Sequence, residues 1–109
     1  MKNTSIEKLR KNRQISLKKL DEAIGRSEIE IIKMDHIVNK SKNKFITSYE
    51  NYKDQKISDQ EFLQITNNFA QTLILEDKMI KKIRKIFKPL DAEFQKICKK
   101  IHDWEDNHE

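Results

Sequence analysis

The sequence predicts an all-α chain folded as an elongated antiparallel helical hairpin, and three observations carry that expectation. Apolar residues recur with a 3.5-residue period along two stretches separated by a short polar break, as in long helices packed along a seam. The 109 residues hold a single glycine, Gly25, and a single proline, Pro89. That leaves too little turn-forming material for β-hairpins, α/β units or a glycine-rich phosphate loop. Charged residues make up 38% of the chain with both signs interspersed, which suits long solvated helices better than a thick globular core. The apolar share, 36%, is modest but gathered into stripes, so the chain is not read as disordered.

One helical domain is expected over residues 1–109. Thr4 with Glu7 has the form of a capping box, placing the first helix at about residues 5–54. Strict alternation of three- and four-residue steps from Leu17 gives a first seam of Leu17, Leu20, Ile24, Ser27, Ile31, Met34, Val38, Ser41, Phe45, Ser48 and Tyr52. Arg13 and Arg10 prolong it backwards in polar form. The turn is expected at about 55–58, within Asp54-Gln-Lys-Ile-Ser58. Ser58 with Glu61 is a second capping box, directly before an apolar-periodic run. The second helix then covers about 59–105. Its seam is Phe62, Thr66, Phe69, Leu73, Glu76, Ile80, Ile83, Phe87, Leu90, Phe94, Ile97, Ile101 and Trp104.

Folding the two helices about Ile57 makes facing seam positions sum to about 114. Tyr52 then meets Phe62, Phe45 meets Phe69, and Ser27 faces Phe87, so that small residues oppose large ones. Pro89 either kinks a continuous second helix, the reading favoured by the unbroken phase of Phe87, Leu90 and Phe94, or opens a third helix. Gly25, with Ser27 and Glu30 as a following cap, could likewise divide the first helix, and the polar stretch Asn39–Lys44 is a further weak point. Apolar residues off the seams, among them Ile29, Ile32, Ile37, Ile46 and Tyr49, then Ile65, Leu75, Met79 and Ile86, widen the stripes beyond what one partner helix covers. A homodimer, or a hetero-complex forming a four-helix bundle, would bury them.

No reaction centre is legible. His36, His102 and His108 are scattered, and with Cys98 alone they do not make a metal site or a disulfide. No Ser-His-Asp, Cys-His, P-loop or dinucleotide pattern is present, so neither an enzyme nor a cofactor is expected. Glu76 is the one carboxylate on a seam, near Val38, where it sets register at a cost in stability, turns to a lysine such as Lys40, or yields its place to Leu75. Trp104 reads as core, with a cation–π contact to Arg10 or Arg13 as an option. The net charge of +5 permits nucleic acid, anionic lipid or an acidic protein as partner, and the lysine pairs read as solvated helix faces. No apolar run is long enough for a membrane span or a Sec signal, so a cytoplasmic chain is expected, with export by a signal-peptide-independent route as an alternative.

Two resemblances add expectations. Residues Leu17 to Met34, in particular Ser16-Leu-Lys-Lys-Leu-Asp-Glu-Ala-Ile-Gly-Arg-Ser27, resemble the helix and glycine turn of Cro/repressor-type helix-turn-helix proteins. Ile31 and Met34 match core positions of that family's recognition helix. Asp21 stands where the family has a small residue, and Arg26 where it has an apolar one. The resemblance implies DNA binding with Glu28, Glu30 and Lys33 towards the major groove. The whole chain also resembles, in architecture, the WXG100-like helical hairpins of type VII secretion, including the partners of LXG toxins. It shares their length, two long helices and an aromatic-rich helix end (Phe45, Tyr49, Tyr52, then Phe62), without the Trp-x-Gly turn. That resemblance implies a chaperone or adaptor for a helical segment of a secreted protein. The expected function is therefore a non-enzymatic helical interaction module, with a DNA-binding protein or a small immunity or inhibitor protein as alternatives.

Overall fold

The computed structural model describes residues 2–108, with side chains from 5 to 108. They form an all-α hairpin of two helices, α1 (Lys2–Lys53) and α2 (Asp59–His108). At 1.5 Å per residue, 52 and 50 residues make helices of about 78 and 75 Å. α1 is already helical at Lys2, three residues before the start expected at Ser5. The Thr4 side chain proposed as its cap lies outside the described residues.

The turn is built by two caps. Lys56 N donates to Asn51 O at 2.8 Å and Gln55 N to Tyr52 O at 3.0 Å, the paired bonds of a Schellman motif. Gln55 occupies the left-handed position of that motif, with φ of 61°, where glycine would be unstrained. α2 then starts on the expected cap, the Ser58 hydroxyl accepting from Glu61 N at 3.1 Å. Asp59 and Glu61 sit in the first turn, where negative charge meets the unpaired N–H groups of the helix end.

Neither candidate breaker interrupts a helix. α1 passes through Gly25 and the Asn39–Lys44 stretch, so the turn implied there by the repressor-like resemblance is not formed. α2 passes through Pro89, and the third helix considered at that point is absent. Pro89 and Lys85, whose carbonyl loses its i+4 donor, are both exposed, so water can take the place of the missing bond.

Packing along the hairpin divides into two compact units, Glu28–Lys82 around the turn and Met1–Ser27 with Ile83–Glu109 at the helix ends. In the turn unit the covered positions on α1 are Met34, Val38, Ser41, Phe45, Ser48, Asn51 and Tyr52, all but Asn51 on the strict alternation, whereas Ile31, which the alternation also assigns to the seam, stays 40% exposed. An aromatic cluster fixes the register. Phe45 stacks on Phe69 at 5.2 Å and on Phe62 at 5.9 Å, and Tyr52 lies nearly parallel to Phe62 at 4.6 Å. Each such pair contributes about 0.5–1.5 kcal/mol beyond its buried area. Ser48 sits on the seam because its hydroxyl donates to Lys44 O at 2.7 Å, and Thr66 does the same to Phe62 O at 2.9 Å. A hydroxyl satisfied by its own helix can be buried without a cross-helix partner.

In the terminal unit the covered positions on α1 are Ile6, Leu9, Arg13, Ser16, Leu20, Ala23 and Ser27. This corrects two seam assignments. Leu17 and Ile24 remain 46% and 43% exposed, while their neighbours Ser16 and Ala23 are buried. The alternation is broken by two successive four-residue steps, Ala23 to Ser27 to Ile31, which is a stutter in the heptad pattern. α2 has the same feature at Met79, Ile83 and Phe87. Upstream of it Thr72 and Met79 are the better covered residues, and Leu73 and Ile80 keep 38% and 37% exposure at the seam's edge.

Candidate protein-interaction groove

A seam that takes the small residue of each pair leaves the large one on the flank. In the terminal unit Leu17 and Ile24 stand beside Leu20 on one side of α1, and Phe87 stands opposite on α2. Together with Asp21, Arg84, Lys88 and Asp91 they line an open groove of about 620 Å³. Its floor is aliphatic and aromatic. Its rim holds two acids and two bases, with Asp21 on α1 and Arg84 and Lys88 on α2. Gln95 donates to Asp91 at 2.8 Å, which orients that carboxylate along α2. Farther towards the chain ends Arg10 lies 3.9 Å from Glu105, an exposed pair worth no more than about 1 kcal/mol.

The other side of the same unit is different in character. There Asn12, Ile15 and Lys19 face Glu93, Lys96, Ile97 and Lys100 across a smaller depression of about 430 Å³. Lysines dominate it, and it offers a solvated surface where the first groove offers an apolar one. In the turn unit Ile37 and Ile65 share a depression of about 380 Å³ with His36, Lys40, Lys44, Ser41 and Asn68.

Of the residues singled out from the sequence, Leu20, Ile83, Phe87, Leu90, Phe94, Ile97 and Trp104 are half-buried in the terminal unit, and Ile101 is buried. Met34, Val38, Phe45, Tyr52, Phe62 and Phe69 are half-buried in the turn unit, where Ile31 is exposed at the edge. Leu17 and Ile24 belong to the groove instead of the seam. Ile6, the other large buried side chain besides Ile101, escaped the sequence reading. Continuing the true alternation backwards from Leu20 through Ser16, Arg13 and Leu9 would have found it.

Trp104 stacks on His108 at 4.0 Å, and its carbonyl lies 2.7 Å from His108 Nδ1. Among the described residues the cation–π contact is Lys53 over Tyr49 at 5.6 Å, in place of the arginine–tryptophan pair considered for Trp104. Glu76 keeps its seam position half-buried, Leu75 is exposed, and the ion pairs among the described residues are Arg10–Glu105 and His102–Asp106. Among the described residues Tyr52 is the group whose titration is displaced. Its hydrogen bond to Asp59, with the repulsion of that carboxylate for a phenolate, raises its pKa above the ordinary 10.0.

Among the described residues no three His, Cys, Asp or Glu side chains converge as metal ligands, and no helix is long and apolar enough to cross a membrane. The groove of the terminal unit offers apolar contact area. Comparison with protein-family models, curated proteins and solved structures finds no match.

Proposed function

We propose that the protein is a non-enzymatic helical interaction module whose terminal unit packs against helices of another polypeptide chain. The observation that carries the reading is the apolar groove of Leu17, Leu20, Ile24 and Phe87. A helix that is apolar only on its seam needs one partner. Apolar residues on the seam and on one flank, as on α1 here, need a second partner, as in a three- or four-helix bundle. Charges of both signs on the rim fit a helix that arrives in one direction and register, since like charges brought together at the wrong register would oppose it. An adaptor or chaperone-like partner of a helical protein is the role this surface suits, and helix-in-groove packing is the mode of recognition.

The test is a titration of the full chain with a fluorescent amphipathic helical peptide carrying leucine at both seam positions of each heptad, read by anisotropy, alongside the mass of the chain in solution. Saturable uptake that Leu17→Glu abolishes, or self-association that it abolishes, supports the reading. A monomeric chain that ignores the peptide would overturn it.

A further inference from the structure

We infer that the terminal unit is hinged at the level of Gly25 and Pro89, where α1 and α2 open locally together, and that the apolar groove changes width about this hinge. The link to the groove rests on the reading above and adds how that site adapts to its occupant.

Register is the first argument. Arg10 lies 3.9 Å from Glu105, and Lys19 and Lys96 line one depression, so residues of α1 and α2 whose numbers sum to about 115 stand level in this unit. Gly25 therefore stands level with Pro89 and Leu90. These two are the single glycine and the single proline of the chain. A straight helix resists the bending of a helix packed along it. Two weak points at one level remove that resistance, and both helices can bend there together.

Neither residue is required by packing. A Cβ built on Gly25 meets nothing within 4 Å, its φ is not positive, and Gly25 and Pro89 are both exposed. What remains is their effect on the backbone. Glycine loses more conformational freedom in a helix than any other residue, and Pro89 leaves the Lys85 carbonyl without its i+4 donor. The seam holds weakly at the same level. α1 buries Ala23 and Ser27 there, which carry little apolar area, while Ile24 stays 43% exposed. Few buried apolar contacts and solvent-exposed backbone hydrogen bonds mark a segment that opens at low free energy.

The groove straddles that level. Leu17, Leu20 and Ile24 form its α1 wall and precede Gly25 in the chain. Of its α2 wall, Arg84, Phe87 and Lys88 precede Pro89, and Asp91 follows it. Because the helices are antiparallel, the α1 wall and most of the α2 wall lie on opposite sides of the hinge. Bending there moves Leu17 and Leu20 relative to Phe87 and so widens or closes the groove. An occupant that fills the groove favours the closed hinge over the open one.

Native-state hydrogen exchange of the full chain, followed amide by amide by NMR, tests the inference, with far-UV circular dichroism as the check that each variant is helical. After correction for intrinsic rates, amides of residues 22–27 and 86–92 should exchange about tenfold or more faster than those of residues 13–20 and 94–101 in the same unit. Gly25→Ala should slow both fast segments about fivefold, and Pro89→Ala should slow both about tenfold or more. Slowing in the unmutated helix is the signature of a joint opening. Protection at this level equal to that of the flanking residues, or slowing confined to the mutated helix, would overturn the hinge. Uptake of the leucine-bearing helical peptide should slow the same two segments together. Uptake that leaves their exchange unchanged would overturn the link between hinge and groove. No uptake would overturn the groove reading and that link with it, while the rates in the free chain decide the hinge itself.

Discussion

Replacing Ile24 and Ile101 in turn by alanine distinguishes a flank from a seam. Both belong to the terminal unit, and both stand at positions that strict alternation assigns to the seam. Ile101 is 3% exposed, so its truncation leaves a cavity. Such a change costs about 2–5 kcal/mol, of which alanine's better helix propensity returns a few tenths. Ile24 is 43% exposed, so little more than half of its transfer free energy is realised in the single chain. With ~1.5–3 kcal/mol for full burial of an isoleucine, and no cavity formed, the net loss after the propensity gain is about 0.5–1 kcal/mol. Urea unfolding followed by circular dichroism and by the fluorescence of Trp104 reads the difference directly. It should be repeated over a range of protein concentrations, since any association that buries Ile24 adds to its cost by mass action. Equal losses for the two variants in dilute solution would refute the reasoning, for Ile24 would then lie on the seam and the groove would not exist.

Four further outcomes follow from local geometry. Gln55→Gly should stabilise the hairpin by about 1 kcal/mol, because an L side chain at φ of 61° carries a strain that glycine lacks, and the midpoint of urea unfolding checks it. Gly25→Ala should add up to about 1 kcal/mol in the same assay, since a Cβ built there meets nothing within 4 Å and the residue sits inside α1. Glu76→Leu should raise the unfolding midpoint by an amount equivalent to about 1 kcal/mol, replacing a half-buried carboxylate on the seam by an apolar side chain; a lower midpoint would mean that the carboxylate has a structural partner. Phenolate absorbance should show Tyr52 titrating above 10.0, and Asp59→Asn should move it down towards that value. Because the folded pKa is the higher one, this contribution to stability is complete below the unfolded value of about 10 and is lost as pH rises through the folded value.

The turn and the seam next to it were legible because the residues there obey local rules without conflict. Ser58 caps α2, Phe45, Tyr52, Phe62 and Phe69 keep one phase, and large aromatics occupy the covered positions. At Gly25 and Pro89 the sequence leaves a break open, since each residue has a propensity to end a helix while the phase of its neighbours continues, and both helices run through. The groove was hidden by the same reasoning. A search for the most apolar repeat follows Leu17 and Ile24, but burial follows Ser16 and Ala23, which are one residue earlier and less apolar. Periodicity reveals a stripe and its width, whereas the stutter decides which edge of the stripe faces the partner helix. Only the paired geometry of α1 and α2 supplies that.

Small residues at covered positions have a consequence for the energetics. Ser16, Ala23, Ser27 and Ser48 are buried, but each contributes little apolar area. A hairpin assembled in this way puts its larger aliphatic groups where its own second helix cannot cover them. In the terminal unit those groups are Leu17 and Ile24, with Asp21, Arg84, Lys88 and Asp91 beside them on the groove. Substituting leucine at Ser16 and Ala23 would not repair the shortage, because both positions are buried and overpacking there costs about as much as the added burial returns. A partner that covered Leu17 and Ile24 would instead stabilise the chain by RT ln(1 + [L]/Kd) without altering the seam. A partner that occupied the groove as proposed would couple stability to association through Leu17 and Ile24.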